Sequence, residues 1–337
     1  MEIGSMLSLN RISPLSVVIP ALLAGTVLAC NRSSSSATRT GTPADEHALA
    51  ESAAVYEREG AMFRKTGETP NLQNPESARY DKDLDVWFVS NVNGLPSAKD
   101  NNGYISRLRP DGTPYNVKFI EGGKKGVTLN APKGLAINGD TLWVADIDAA
   151  RAFNKRTGAV IANVNIRGRA KFLNGSAVGP DGAVYMTDTG IIFGPKGEMS
   201  HPGPDQVFRV RANGDATVAL TSPKLQGPNG ITWDQREERF VIVSFAGKGI
   251  FGWKPGDKDV QTLGNGPGQQ DGVVVLPDGR IVVTSWADSS LFVLQNGKTT
   301  TVARGVASPA DIDLDPKDSR IAVPQLMANA VQFWEVP

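Results

Sequence analysis

The chain of 337 residues has very few residues of the types that build covalent or zinc-bound cross-links. It contains one cysteine, Cys30, and two histidines, His47 and His201. One cysteine excludes an intrachain disulfide. Net charge is also absent, because 35 Lys and Arg residues balance 35 Asp and Glu residues without a basic run. This balance argues against a nucleic-acid partner, which needs a basic surface. The sequence also lacks a nucleophile elbow, a P-loop, a zinc-protease motif and a dinucleotide fingerprint.

The one long apolar run lies near the N-terminus, in "PLSVVIPALLAGTVLAC" after Arg11. It is too short for a typical membrane-spanning helix and has the charged start and apolar centre of a secretory signal. Residues 27–30, "VLAC", resemble a bacterial lipobox, which implies cleavage before Cys30 and diacylglycerol attachment to its sulfur. The alternative is a buried core cysteine. We therefore expect a signal peptide over residues 1–29 and a lipid-anchored protein of the bacterial cell envelope.

The segment that follows Cys30 has the composition of a tether. It is rich in Ser and Thr and nearly free of large apolar residues, so it cannot bury enough surface to order itself. We expect a flexible tether over residues 30–54. Good helix formers over residues 45–59 favour one short helix that continues to residue 59.

Lipidation at Cys30 can be tested directly. Metabolic labelling with a fatty-acid probe is expected to mark the wild-type protein and place it in the membrane fraction, because two or more acyl chains give stable anchoring. Cys30→Ser should remove both the label and the membrane association. A wild-type protein that takes up no probe would contradict the lipoprotein interpretation.

A repeated strand pattern fills the remaining chain. Each unit begins with a polar or small residue and continues through apolar runs separated by turns such as "GPDG" and "LPDG". The opening positions are Glu76, Lys133, Asn174, Asn229, Asp271 and Ala310, separated by 57, 41, 55, 42 and 39 residues. A four-stranded propeller blade needs about 40 to 50 residues. The pattern predicts an all-β protein, a six-bladed β-propeller over residues 60–337.

The last unit is shorter than the others. Only 27 residues follow Ala310, enough for three strands. We expect residues 59–67 to supply the missing outermost strand and so close the ring.

The six opening residues would meet at one end of the central channel. Buried polar groups are costly without partners, and two carboxylates with two amides offer mainly oxygen atoms. A hard divalent cation would satisfy them: calcium is the first expectation, with magnesium, manganese or zinc as alternatives. Lys133 or trapped water could satisfy them instead. The two long loops, residues 91–103 and 189–204, would cover this site.

The residues "PESARYD" with Glu76, "GPNGITWD" with Asn229 and "QQDGVVV" with Asp271 resemble the family of senescence marker protein (regucalcin), gluconolactonase and luciferin-regenerating enzyme. The resemblance covers residues 60–337. It implies a six-bladed propeller with one divalent metal held by Glu76, Asn229 and Asp271. It also implies that Asp271 acts as general base and that Asn174, in "LNGSAVGPDG", faces the substrate.

Two functional hypotheses follow. The first is a metal-dependent hydrolase of lactones or related esters, a monomer in which Asp271 is catalytic and Asn174 and Lys133 orient a small-molecule substrate. The second is a non-catalytic envelope propeller that binds a small ligand or protein partner, with a structural cation or none.

Several other residues are expected to have structural roles. Trp87, Trp143 and Trp286 alternate with β-branched residues, which favours packing between blades. Asp146 is expected to form hydrogen bonds with neighbouring backbone groups. Asp188 could form such bonds too, or it could lie at the edge of the site. His201 is expected to be a solvated loop residue rather than a catalyst.

Overall fold

The computed structural model describes residues 62–194 and 198–337. The predicted signal peptide (1–29), Cys30, the tether (30–54) and the helix expected to continue to residue 59 all lie outside these ranges. The described residues form strands, turns and loops. They include no helix with the length and hydrophobicity that a membrane crossing would require.

Six four-stranded antiparallel sheets follow one another along the chain, and the six-bladed propeller prediction is confirmed. In the first five blades the strands run in sequence order, from the channel outward. The first blade comprises β2 (Pro75–Asp81), β3 (Val86–Asn91), β4 (Tyr104–Leu108) and β5 (Pro114–Glu121). The second comprises β6 (Pro132–Asn138), β7 (Thr141–Asp146), β8 (Ala149–Asn154) and β9 (Val160–Asn165). The third comprises β10 (Leu173–Val178), β11 (Val184–Asp188), β14 (Gln206–Val210) and β15 (Ala216–Thr221).

The next two blades have the same order, and a small hairpin interrupts the third. The fourth blade comprises β16 (Pro228–Asp234), β17 (Arg239–Ser244), β18 (Gly249–Trp253) and β19 (Gln261–Asn265). The fifth comprises β20 (Gln270–Val275), β21 (Ile281–Ser285), β22 (Ser290–Gln295) and β23 (Lys298–Arg304). The hairpin consists of β12 (Ile192–Phe193) and β13 (Met199–Ser200) and belongs to the second long loop.

The sixth blade joins the two ends of the propeller. It comprises β24 (Asp313–Asp315), β25 (Arg320–Gln325), β26 (Ala330–Glu335) and, outermost, β1 (Arg64–Thr69). Strand β1 pairs antiparallel with β26 from Arg64 opposite Glu335 to Thr69 opposite Val331. The predicted closure is confirmed, although β1 begins five residues later than residue 59. Its sequence, RKTGET, is mostly exposed and has no apolar alternation to mark its ends.

Apolar side chains fill the spaces between the blades. Six of the apolar clusters in the described residues each lie between two neighbouring blades, including the sixth and the first. Trp87 of the first blade packs edge-on against Phe333 of the sixth, with ring centroids 6.0 Å apart. Trp143 belongs to the cluster between the second and third blades. Both tryptophans therefore have the packing role that the sequence predicted.

Candidate active site

Five of the predicted ring residues line a single cavity of about 390 Å³. They are Glu76, Lys133, Asn174, Asn229 and Asp271, contributed by the inner strands of the first five blades. Each is at most 6% exposed. Residues distant in sequence are therefore brought to one end of the channel, as the repeat pattern predicted.

A break in strand pairing occurs at each of these residues. The register shifts between Pro75 and Ser77, and at the equivalent point of the four blades that follow, namely Pro132 to Leu135, Leu173 to Ser176, Pro228 to Ile231 and Gln270 to Val273. A bulge bends the strand and redirects a side chain that regular pairing would point to one face of the sheet. The bulge therefore accounts for a polar residue at the start of an otherwise apolar strand.

Glycine follows the ring residue in four blades because the inner strands approach each other closely there. A Cβ on Gly230 would lie 2.3 Å from the carbonyl oxygen of Asp271 in the next blade. Gly175 has the same relation to Asn229, at 2.5 Å. The "NG" and "DG" pairs of the sequence are thus required for blade contact, because real Cβ atoms do not come this near to backbone.

Four side-chain oxygens of the ring are buried without a hydrogen-bond partner. They are Glu76 Oε2, Asn174 Oδ1, Asn229 Oδ1 and Asp271 Oδ1. A buried polar atom without a partner is costly, so four that face one cavity need a common explanation. All four are hydrogen-bond acceptors, which indicates a ligand that is positively charged or donates hydrogen bonds.

The carboxyl groups of the ring are electrostatically unfavourable without such a ligand. Burial raises the pKa of the Glu76 carboxyl well above its ordinary value, and the charges of Asp271 and Asp311 raise it further. Burial also raises the pKa of Asp271, together with the charge of Asp311, whereas the nearby side chains of Trp286 and Asn229 oppose the shift. A positive charge placed between the two carboxylates would reverse this unfavourable situation.

Lys133 does not supply that charge at the ring oxygens. Its Nζ donates hydrogen bonds to the carbonyl oxygens of Pro96, at 2.9 Å, and Ala131, at 3.0 Å. It also lies 4.1 Å from the centroid of the Phe172 ring. Burial lowers the pKa of Lys133 to about 8, although Glu76 opposes the shift. The ammonium group is thus hydrogen-bonded to backbone carbonyls, one of them in the loop of residues 91–103, and to none of the unpartnered oxygens, although its charge partly opposes the raised pKa of Glu76.

The donor set fits a hard divalent cation. Two carboxylates and two amide oxygens are the ligand types that calcium, magnesium and manganese prefer. In the described part of the chain, no three His, Cys, Asp or Glu side chains form a metal-binding group by themselves. An amide oxygen, as from Asn229, is therefore needed beside the two carboxylates, and the set resembles neither a zinc finger nor a catalytic zinc site.

The pKa shifts predict how a cation would affect stability. In the metal-free protein Glu76 and Asp271 have raised pKa values, so above pH 4 the folded state binds more protons than the unfolded state. The free energy of unfolding should therefore fall as the pH rises through the folded-state values. Calcium at about 100 times its dissociation constant should add about 2.7 kcal/mol and remove most of this pH dependence. Thermal melts between about pH 5 and pH 8, with calcium or chelator, measure the effect.

Glu76→Gln provides the control for these melts. It removes one of the two raised carboxyl groups, so the metal-free variant should lose less stability with rising pH than the wild type. Its melting temperature should also respond weakly to calcium. An equal response to calcium in this variant would show that the ion binds elsewhere.

The sequence did not predict the polar layer that lies directly behind the ring. Asp311 follows Ala310 and accepts hydrogen bonds from Ser77 Oγ at 2.7 Å and from Arg79 Nη2 at 3.1 Å. Arg79 Nε also donates to the carbonyl oxygen of Leu135, at 2.9 Å. Burial raises the pKa of Asp311 to about 6, whereas Arg79 opposes the shift. Ser77 and Asp311 occupy the position that is glycine in the other four blades, and this exception was the signal available in the sequence.

The walls of the cavity come from loops. Leu95 and Pro96 belong to the first long loop, whereas Ile191, Phe193 and Met199 belong to the second. Both loops thus border the site, as predicted. Trp286 also lines the cavity, and its Nε1 is buried without a geometrically acceptable acceptor. Trp286 follows the end of β21 and packs edge-on against Phe245, which follows β17 of the fourth blade, with ring centroids 5.8 Å apart. The predicted packing between blades is therefore present, and Trp286 lines the cavity as well.

Two aspartates at strand ends have structural roles. Asp146 accepts hydrogen bonds from the backbone N–H of Ala131 at 2.9 Å and from Arg151 Nε at 2.9 Å. Asp188 accepts from the backbone N–H groups of Lys171 and Phe172, at 2.9 and 2.8 Å. Each carboxylate therefore fixes the segment that enters the inner strand of its own blade.

His201 is exposed to solvent, as predicted, and lies outside the ring cavity. Its Nε2 lies 2.7 Å from Asp205 Oδ1, and both residues line a shallow surface depression. Other residues of the same loop line the ring cavity, namely Thr189, Ile191, Phe193 and Met199, but His201 does not.

Comparisons with known proteins support the propeller fold. No protein-family model matches the chain, and no curated protein matches it in sequence. Among solved structures, a gluconolactonase from Xanthomonas campestris is similar with a TM-score of 0.58 and 14% identity, over 83% of this chain and 96% of its own. A protein put forward as a gluconolactonase is similar with a TM-score of 0.60 and 16% identity, over 82% and 92%.

A third solved structure has a different activity. Virginiamycin B lyase from Staphylococcus aureus, in an inactive form with quinupristin, is similar with a TM-score of 0.55 and 15% identity, over 82% of this chain and 100% of its own. At 14–16% identity these likenesses show the propeller fold. Gluconolactonases and a lyase share that fold, so the chemistry must be argued from the cavity.

Proposed function

We propose that the protein is a hydrolase of lactones or related esters that uses one divalent cation, calcium first, held by Glu76, Asn229 and Asp271. The observation that carries this proposal is the set of four unpartnered acceptor oxygens that face one cavity. The gluconolactonase among the similar structures supports the choice of substrate class. A bound cation would supply positive charge that stabilises the negative charge developing on the ester carbonyl oxygen.

The protein residues then divide the remaining tasks. A water adds its oxygen to the carbonyl carbon, the ring C–O bond breaks, and the ring oxygen takes up a proton, which leaves a hydroxy acid. Asp271 accepts the proton of the attacking water, because it is a carboxyl group with an unpartnered oxygen at the cavity. A bound cation would keep this carboxyl group ionised, the state in which it can accept a proton.

Asn174 and Lys133 orient the substrate. Asn174 Nδ2 donates one of its two N–H groups to Thr189 Oγ1 at 3.1 Å, which fixes the amide and leaves the second N–H for a substrate oxygen. Lys133 uses two of its three N–H groups on backbone carbonyls, so the third can donate to a substrate oxygen. Both residues thus hold the ester without contributing the attacking group.

A lactone panel with and without chelator tests this function. We expect turnover that chelator abolishes and calcium restores, with one atom of ¹⁸O from labelled water in each carboxylate product. An unsaturated product without ¹⁸O would instead indicate elimination, the reaction class of the similar lyase. Turnover that survives both chelation and loss of the Asp271 carboxylate would refute the mechanism. No turnover of any lactone, together with stabilisation by calcium, would favour the non-catalytic binding propeller.

We also propose that the enzyme acts as a monomer in the bacterial envelope, attached to the membrane through Cys30. The lipobox-like "VLAC" and the tether-like composition that follows it support this location. The labelling experiment with Cys30→Ser tests it independently of the catalytic proposal.

A further inference from the structure

The walls of the ring cavity differ in character from its floor. Polar residues of the ring form the floor, whereas residues from seven separate loops and strand ends form the walls. Most of these wall residues are apolar, and the largest are Phe172, Phe193, Phe245, Trp286 and Leu326. The polar chemistry of the cavity is thus confined to one end.

Two polar side chains in the walls already have protein partners. Asn74 Nδ2 donates to the carbonyl oxygen of Leu326 at 3.1 Å, and its Oδ1 accepts from the backbone N–H of Gly94 at 3.1 Å. Thr189 Oγ1 donates to the carbonyl oxygen of Pro228 at 2.9 Å and accepts from Asn174. These two walls therefore offer few free groups to the hydroxyls of a sugar, which would lose water without gaining partners.

The mouth of the cavity is also apolar. Three lining residues are largely exposed to solvent: Leu95 at 70%, Met199 at 57% and Met327 at 68%. Exposed apolar groups that surround a concave site indicate an apolar ligand. Methionine suits this position because its flexible side chain adapts to chains of different shape.

We infer that the substrate is an amphipathic lactone or ester that carries an extended alkyl or aryl group, and that polyhydroxylated sugar lactones are poor substrates. This inference rests on the proposed hydrolase function and specifies its substrate class. The carbonyl group would lie at the ring, among Glu76, Asn229 and Asp271. The apolar group would lie along the wall toward Met199 and Met327.

A homologous series of lactones tests the inference. The series has one five-membered ring and an unbranched alkyl substituent from methyl to octyl, and a polyhydroxylated sugar lactone is compared with it. On the purified full chain with calcium, kcat/KM should rise about fourfold for each methylene until the chain fills the cavity. The sugar lactone should be at least about 100-fold poorer than the best alkyl lactone, because its hydroxyls lack partners.

Matched variants locate the alkyl chain. Met199→Gln and Met327→Gln keep the length of the side chain but make the mouth polar, so the rise in kcat/KM with chain length should become shallower, with the methyl lactone little changed. Met62→Gln is the control, because Met62 is 57% exposed, the same as Met199, and does not line the cavity. It should leave the whole series unchanged.

The outcomes separate this inference from the proposed function. Fast turnover of the sugar lactone, with a kcat/KM that does not change with the length of the alkyl chain, would overturn the inference. The proposed hydrolase function would still stand. If no lactone is turned over, the hydrolase fails, and thermal melts with the same alkyl lactones decide the ligand class. Stabilisation that grows with the length of the alkyl chain and weakens in Met199→Gln would support the inference that the cavity binds an apolar ligand. An absence of stabilisation would overturn that inference together with the hydrolase.

Discussion

Asp271→Asn is expected to lower kcat/KM for lactone hydrolysis by about 10²- to 10⁴-fold, the contribution typical of a general base. The amide keeps the shape of the side chain but cannot accept a proton from water. It also removes one negative charge from the proposed cation site, so the calcium concentration needed for half-maximal stabilisation should rise. Steady-state kinetics at saturating calcium measure the first effect, and calcium-dependent thermal melts measure the second.

Asp234→Asn is the matched control for this variant. Asp234 is 3% exposed and ends the strand that contains Asn229, but it lies outside the cavity. Its Oδ1 accepts a hydrogen bond from the backbone N–H of Arg236 at 3.1 Å, a bond that an amide oxygen can keep. Activity should stay within a few-fold of the wild type. An Asp271→Asn enzyme that retains activity within tenfold would remove Asp271 from the catalytic role.

Gly230→Ala is expected to have the second largest effect, this time on folding. The new Cβ would lie 2.3 Å from the carbonyl oxygen of Asp271 and 3.1 Å from the backbone nitrogen of Val273. Both atoms belong to the inner strand of the next blade, which cannot move without displacing the ring. Overpacking of this kind costs about 3 kcal/mol. The melting temperature should fall by about 6–12 °C, measured by circular dichroism.

Gly67→Ala separates this clash from the general effect of adding a methyl group. Nothing lies within 4 Å of the Cβ position at Gly67, which also sits in a strand. Alanine there should change the melting temperature by no more than about 2 °C, because a surface change without a clash is nearly neutral. Equal effects at the two glycines would show that close contact between inner strands is not what requires Gly230.

The repeat pattern was sufficient to predict the ring because it fixes register. Once Asn229 and Asp271 hold equivalent places in neighbouring blades, the closed propeller brings them together without any local constraint. Propensity was less useful at β1, whose RKTGET sequence pairs with β26 through backbone groups and presents polar side chains to solvent. An outermost strand has only one packed face and therefore carries little hydrophobic signal.

Side-chain partners were harder to predict than positions. The sequence placed Lys133 in the ring but could not show that its ammonium group donates a hydrogen bond to the carbonyl oxygen of Pro96, in a loop. Trp286 is another example, because its alternation with β-branched residues gave no sign that it lies past the end of its strand at the cavity. The apolar walls depend on how two long loops fold over the ring. Loops have no regular hydrophobic periodicity from which their conformation could be predicted.

The pairing of strand β1 with β26 also determines when the propeller ring can close during synthesis. Arg64 and Glu335, which form an ion pair across the closing strands, are 271 residues apart. At about 5–20 residues per second, a ribosome needs tens of seconds to make the chain between them. The blades whose strands are neighbours in sequence can pair during this time, but β26 does not yet exist. The ring therefore closes only after β26 has been synthesised, and a shorter nascent chain carries an open sheet edge available for wrong pairing.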